Sequence, residues 1–370
     1  MRLILSVDAI APPLTGIGRY TWELAHRYAE MAAEFESLRF YRGKRWIVDL
    51  PELLTDPVSV LRGRDWPQLL PRAVRNWALR RTMRTHAFHS PNYFLPDLAE
   101  SGVVTIHDLS VFRYPETHPL DRVRQFERSF ASTLARASHV ITDSNAIRDE
   151  VCQYFGWSEQ RVSTVGLGVS RDYRPRDTVD LIEPLRSWGI APGGYALCVS
   201  TLEPRKRVGH LIDAYGALPQ RLRTLYPLVL AGGRGWLSDA LREQIALAEH
   251  AGWLKYVGFV NESELPLLYA GARAFFFPSL YEGFGLPVLE AMSSGVPVLT
   301  SNCSSLPEVT DGAARLVEVS DRAHFIDAIQ QTLLDDGWRT DAVKRGLTIA
   351  ARYDWRTCAN QTLEVCRQHG

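Results

Sequence analysis

Residues 274–300 read Ala274-Phe275-Phe276-Phe277-Pro278-Ser279-Leu280-Tyr281-Glu282-Gly283-Phe284-Gly285-Leu286-Pro287-Val288-Leu289-Glu290-Ala291-Met292-Ser293-Ser294-Gly295-Val296-Pro297-Val298-Leu299-Thr300. An apolar run from Ala274 to Phe277 stops at Pro278, and a turn punctuated by Gly283 and Gly285 follows. Pro287 suits the first position of a helix, because its missing N–H would have no partner there anyway. Val296 to Thr300 then starts a second buried-type run. Strand, turn, helix and strand in that order make one parallel βαβ unit.

The same rhythm fills the chain. Leu3 to Val7, Val103 to Ile106, Val140 to Thr142, Ala196 to Val199 and Leu228 to Ala231 read as further buried strands. Tyr20 to Met31, Arg207 to Gly216 and Ser238 to His250 read as helices between them. These are too many strands for one small sheet. The stretch Arg171 to Gly194 carries Pro175, Pro184, Pro192 and a glycine pair, and we place a domain boundary there. The expectation is α/β: two doubly wound Rossmann-like domains, 1–178 and 179–352, facing across a cleft, with a C-terminal helix in 353–370 crossing back to the first domain. Such sheets bind ligands outside the carboxyl ends of their strands, so the loops that follow strands should carry the chemistry.

Composition narrows the classes of function. The 370 residues hold 42 basic and 42 acidic side chains, which argues against a dedicated nucleic-acid binder. The five cysteines (Cys152, Cys198, Cys303, Cys358 and Cys366) are scattered, with no CxxC pair, so neither a disulfide framework nor a zinc site is expected. A reducing, cytoplasmic location is the simplest expectation. Asp8 interrupts the apolar opening Leu3 to Val7, and no segment reaches 18 uninterrupted apolar residues, so no membrane span is expected.

Four loops carry candidate chemistry. In the first, Gly283 and Gly285 let the backbone approach a ligand, and Phe284 to Leu286 aim amides and a helix N-terminus at one point, a phosphate site. Carboxylates there would repel phosphate, so Glu282 and Glu290 are read as acceptors for sugar hydroxyls; the alternative is a plain connection with solvated glutamates. In the second, Arg205 and Lys206 follow the strand ending at Val199 and can neutralise a diphosphate, where an isolated pair would read as a basic surface turn. In the third, Gly16-Ile17-Gly18 follows the first strand and opens a helix, but Thr21 stands where a dinucleotide fingerprint needs its third glycine, which disfavours hydride transfer. In the fourth, His107 follows strand Val103 to Ile106, positioned to contact a sugar hydroxyl or the reacting centre, with Asp108 as its orienting partner; the alternative is a pair that pins its own loop.

Together these residues resemble the retaining glycosyltransferases of family 4, with the two-domain GT-B fold. The match runs through Pro278 to Met292 with its E-x7-E pair, Gly295 to Val298, Thr201-Leu202-Glu203-Pro204-Arg205-Lys206, Leu228 to Gly235, Gly258-Phe259-Val260 and Thr105-Ile106-His107-Asp108-Leu109-Ser110. The resemblance implies that Lys206 and Arg205 hold the donor diphosphate, and that Glu290 takes the ribose hydroxyls. It further implies that Glu282 lies beside the donor sugar, that His107 lies near it, and that Gly16 to Gly18 form a mobile loop under the phosphates. Catalysis would rest on His107, Glu282, Arg205 and Lys206. One departure is Ser200, where many members carry an arginine, a charge that Arg205 would then supply.

No D-x-D triplet occurs, so the implied transfer needs no metal and no cofactor beyond the nucleotide sugar. The variants of these motifs look most like bacterial mannosyltransferases of surface-polysaccharide or O-antigen assembly, implying GDP-mannose as donor and a glycan or polyprenyl-pyrophosphate-linked glycan as acceptor. Transferases using UDP- or dTDP-sugars, and a GT-B sugar-nucleotide epimerase, remain the alternatives. His89, Asn92, Tyr93 and His118 are candidates for the acceptor wall. Arg62 to Thr85 holds Arg62, Arg64, Arg72, Arg75, Arg80, Arg81 and Arg84 against Asp65, with Trp66 and Trp77. Arginines among tryptophans suit an anionic membrane surface at the inner face of the plasma membrane, or a lipid pyrophosphate; a solvated basic face is the alternative.

Overall fold

A computed structural model describes residues 1–14, 16–55, 71–235 and 239–370. The chain forms two compact units, Met1–Gly168 with Asp354–Gly370, and Val169–Tyr353.

The first unit is built on a seven-stranded sheet of β1 (Arg2–Ser6), β2 (Ser37–Arg42), β3 (Arg45–Ile47), β4 (Ala87–Ser90), β5 (Gly102–Ile106), β6 (Ala137–Thr142) and β7 (Val162–Thr164). Its spatial order is β3-β2-β1-β4-β5-β6-β7, parallel except for the β2–β3 edge pair. Every residue of β5 is buried, as expected for a strand covered on both faces. The helix Trp355–His369 belongs to this unit, so the expected return of the chain is present. Asp354 starts it by accepting from the N–H groups of Arg356 and Thr357, each at 3.0 Å. It buries Trp355, Cys358, Ala359, Leu363 and Cys366, and the Tyr28 hydroxyl donates to the Ala359 carbonyl at 3.3 Å.

The second unit has a six-stranded sheet, all of whose pairings are parallel: β8 (Ala196–Val199), β9 (Leu228–Ala231), β10 (Leu254–Gly258), β11 (Ala274–Phe277), β12 (Val298–Ser301) and β13 (Arg315–Val317). The order β10-β9-β8-β11-β12-β13 is that of a doubly wound nucleotide-binding sheet, with its switch point between β8 and β11. Leu211, Ile212, Tyr215, Leu230, Phe276 and Phe325 belong to its hydrophobic core.

The units divide after Gly168, ten residues before the expected boundary at 178. Residues just after that point pack on the second unit: the Tyr173 carbonyl accepts from Ser293 Oγ at 2.7 Å, and the Tyr173 ring meets Tyr269 edge-on at 5.5 Å. Among the described residues no helix is long and apolar enough to cross a membrane. Arg62, Arg64, Asp65 and Trp66 lie outside the described residues.

Candidate active site

The loops leaving β8 and β11 start side by side at the switch point of the second unit, because the two strands are direct neighbours. After β8 the chain makes a short 3-10 turn, Pro204–Lys206, then bends through Arg207 in the left-handed region (φ 49°) to begin helix Val208–Gly216. After β11 it turns through Pro278 to Gly285, whose φ of 100° glycine alone adopts without strain, into helix Leu286–Ser293. A Cβ on Gly285 would also lie 2.7 Å from Leu306 Cδ2. Main-chain bonding ties the two loops together, the Leu280 N–H donating to the Arg205 carbonyl at 2.8 Å.

Side chains complete the join. Lys206 Nζ donates to Glu282 Oε1 at 2.6 Å and lies 5.3 Å from the centroid of the Phe277 ring. Arg205, buried, donates from Nη1 to the Tyr281 carbonyl at 2.5 Å, with Glu282 Oε2 at 3.7 Å and Glu203 Oε2 at 3.9 Å. Thr201 Oγ1 donates to Glu203 Oε1 at 2.8 Å. Two cations and two carboxylates therefore interlock at the carboxyl edge of the sheet, all within 13% exposure. Glu290 stands half-buried on helix Leu286–Ser293, and its charge, added to burial, raises the hydroxyl pKa of Tyr269. The site can do one thing well: it offers an ammonium, a guanidinium and a helix start to an anion while presenting carboxylates to hydroxyls.

The carboxyl edge of the first unit's sheet holds a different cluster. His107 follows β5 and is buried; its Nδ1 faces Asp143 Oδ2 at 2.7 Å and its Nε2 faces the Pro91 carbonyl at 2.8 Å. A carbonyl only accepts, so Nε2 carries a proton, and a second proton lies between Nδ1 and the carboxylate. Burial opposes charge on His107, but Asp143 and these two hydrogen bonds outweigh it and raise its pKa. Asp108 does not orient this ring: its Oδ1 accepts from Ser110 N at 2.8 Å and Ser110 Oγ at 2.6 Å. The expected His107–Asp108 pair is thus corrected to His107–Asp143, because the carboxylate that reaches Nδ1 comes from the end of β6.

The regions recognisable by sequence match two family models in chain order. Residues 14–173 match the model Glycosyltransferase Family 4, and residues 189–348 match Glycosyl transferases group 1. The chain is 40% identical to the O-antigen chain mannosyltransferase B of Escherichia coli, covering 99% of both proteins. The chain belongs to glycosyltransferase family 4. It is also 30% identical to the serotype-specific mannosyltransferase WbdA of Escherichia coli over 75% of its own length, spanning about a third (35%) of that longer protein. In fold it resembles WaaG, a glycosyltransferase involved in lipopolysaccharide biosynthesis, with a TM-score of 0.71 at 18% identity and 98% and 99% coverage. The GT-B expectation for the two Rossmann-like units therefore holds.

In this glycosyltransferase the second unit joins Arg205, Lys206 and Glu282, with Gly283 to Leu286 continuing the same turn and Glu290 on the helix that follows. Gly16, Gly18 and His107 belong to the first unit. The two glycines are the first and third residues of helix Gly16–Glu30, so they open a helix after the first strand as their sequence reads. Arg75, Arg80, Arg81 and Arg84 all project from or just beyond helix Arg72–Met83 and are exposed. Arg84 pairs with Glu100, its Nε at 2.8 Å from Oε1, and Arg81 lies over the Trp77 ring at 5.6 Å. Of the acceptor-wall candidates, His89 and His118 are built into the interior: His89 Nε2 bonds Thr105 Oγ1 at 2.9 Å, and His118 Nε2 bonds Ser110 Oγ at 3.0 Å.

Glu203 is part of a quoted motif but is given no role there, and Asp143, Ser304 and Ser305 escaped the sequence reading. A signal existed for the last two, because residues 302–305 follow β12 at the same carboxyl edge as the glycine turn.

Proposed function

We propose that this glycosyltransferase moves mannose from GDP-mannose to a hydroxyl of a lipid-linked glycan during assembly of an O-antigen-type surface polysaccharide, retaining the anomeric configuration and using no metal. The observation that carries the donor site is the Lys206–Glu282 pair at the switch point of the second unit. Lysine has three N–H donors; one is spent on Glu282 and two remain for diphosphate oxygens. The amides of Phe284 to Leu286 at the start of helix Leu286–Ser293 add to them. Glu282, next along, accepts from the sugar hydroxyls, and Glu290 accepts from the ribose. Mannose is favoured over glucose because the relatives at 40% and 30% identity are both named mannosyltransferases.

The leaving group is a nucleoside diphosphate, so stabilising its growing negative charge is the main catalytic contribution of Lys206 and Arg205. In a front-face displacement the acceptor oxygen bonds to the anomeric carbon as the bond to phosphate breaks. The acceptor proton passes to the departing phosphate oxygen, and no further reactant is required. Trapping a covalent glycosyl-enzyme would overturn that route.

The first test is thermal stability with GDP, UDP, dTDP or ADP, each with and without EDTA. A ligand at 100 times its dissociation constant stabilises by about 2.7 kcal/mol. A selective, EDTA-insensitive shift with GDP supports the donor; a UDP or dTDP shift replaces it. Release of free nucleotide without transfer to an acceptor would favour an epimerase. A cytoplasmic enzyme docking on the inner membrane face is consistent with the exposed arginines and Trp77 of helix Arg72–Met83. Replacing Arg75, Arg80, Arg81 and Arg84 by Gln should weaken binding to anionic liposomes, and unchanged binding would remove the membrane role.

A further inference from the structure

We propose that Ser304 and Ser305 are positioning residues for Glu282, fixing the turn that aims its carboxylate and thereby setting the rate of transfer more than the affinity for nucleotide; this rests on the reading of Glu282 as the donor-side carboxylate. Ser304 Oγ accepts from the Glu282 N–H at 2.9 Å and donates to the Glu282 carbonyl at 2.8 Å. Ser305 Oγ donates to the same carbonyl at 3.0 Å. Two consecutive hydroxyls thus grip both polar groups of one residue of the turn.

A hydroxyl is the side-chain group suited to this task, being donor and acceptor in one atom. The turn needs it: Tyr281 to Gly285 are all buried, so their main-chain groups are shielded from water and must find partners within the protein. The grip has a backbone cost as well. Ser304 sits in the left-handed region at φ 45°, where non-glycine residues are uncommon. A strained residue whose side chain meets a candidate catalytic residue is a place to look for a positioning role.

The rest of the segment braces the same turn. Cys303 Sγ donates to the Ser279 carbonyl at 3.2 Å, the Asn302 N–H is anchored to the Val317 carbonyl at 2.9 Å, and Leu306 packs where a side chain on Gly285 would otherwise stand. Residues 302–306 therefore hold the turn at Ser279, Glu282 and Gly285. The outcome of that bracing is the 2.6 Å contact from Glu282 to Lys206. Loosening it by fractions of an ångström would leave both charges in place and spoil their aim.

The test compares Ser304→Gly, Ser305→Ala and the double variant with wild type. Ser304→Gly removes the hydroxyl while accepting φ 45° freely, so it should fold. For GDP-mannose turnover, kcat should fall by about tenfold or more in the double variant, while the Kd for GDP stays within about threefold by calorimetry. Should wild type prefer UDP in the nucleotide screen, UDP and its hexose replace the GDP pair. A double variant with wild-type kcat overturns the proposal. So does a loss of GDP binding in step with thermal stability, which would make the serines props for folding alone. Glu282→Gln is run in parallel: if it turns over normally, the donor-side reading of Glu282 fails and the proposal falls with it. If Glu282→Gln is impaired while the double serine variant is not, only the role of the serines is lost.

Discussion

Lys206 and Glu282, 76 residues apart in sequence, meet at 2.6 Å because β8 and β11 are neighbours and each hands its following loop to the same edge of the sheet. On the proposed donor site, removing the ammonium with Lys206→Ala takes a cation away from the leaving diphosphate. It should lower kcat by about 10²- to 10³-fold, the usual cost of losing one charge-stabilising donor. Arg205 remains 3.7 Å from Glu282 Oε2, so the carboxylate keeps a counter-charge and the protein should still fold. Steady-state turnover, with circular dichroism to check folding, measures this; a kcat within a factor of about three of wild type would remove Lys206 from the mechanism.

Arg205 also does a structural job that its neighbour does not. Its planar fork spans the Tyr281 carbonyl, Glu282 and Glu203, which a lysine cannot reproduce. Arg205→Lys keeps the charge but should lose about 1.5–3 kcal/mol of stability, the worth of a charged hydrogen bond. Urea unfolding of the two proteins in parallel gives the difference. A stability equal to wild type would mean that charge alone, without geometry, holds the two loops.

These two residues show how far the sequence carries. Strands Ala196–Val199, Leu228–Ala231 and Ala274–Phe277 lie where their apolar runs predict, since an interior strand of a parallel sheet is apolar on both faces. Ser37–Arg42, Leu254–Gly258 and Arg315–Val317 did not stand out, because they lie at or next to sheet edges, are half-exposed and carry Arg39, Lys255 and Arg315 among their apolar residues. The same distinction governs the site. Arg205, Lys206, Glu282 and Glu290 follow recognisable strands and could be placed by the rule that ligands meet strand carboxyl ends. Asp143 could not be assigned to His107, because that contact depends on register between β5 and β6, where Ile106 pairs with Thr142. Glycines 16 and 18 are legible as local structure, since a glycine pair after the first strand reads as opening a helix and the helix begins on it.

Two buried histidines of the first unit should titrate in opposite directions. Burial, and then the charge of His107, push His89 down to about 3, so it stays neutral through physiological pH. His107 is raised by Asp143 despite burial. With a folded pKa below the unfolded value, His89 destabilises the fold as pH falls from about 6.5 toward 3, where only the unfolded chain takes up its proton. His107 contributes the opposite: its stabilisation is complete below about 6.5 and is lost as pH rises through its folded pKa. Imidazole resonances followed by NMR from mildly acid to neutral pH should show a His89 signal that stays at its neutral position and a His107 signal that remains protonated at the acid end. Asp143→Asn should bring the His107 pKa down; an unchanged value would mean that the carboxylate does not hold the second proton.

Gly168 ends the first unit's leading segment and packs directly on the residues where the chain returns to it. A Cβ there would lie 2.5 Å from the Asp354 carbonyl carbon and would also press on the Trp355 N–H. Both obstacles are backbone, so no side-chain rotation relieves them. They also sit at the capped start of helix Trp355–His369, where Asp354 must hold its place to accept from Arg356 and Thr357. Gly168→Ala should therefore destabilise the first unit by about 1–3 kcal/mol through strain and a loosened cap. Hydrogen exchange should locate the loss: amides of 355–369 should exchange faster, while those of β8 and β11 keep their protection. Equal acceleration in both units would mean that the substitution acts on the whole chain and not through the docking of this helix.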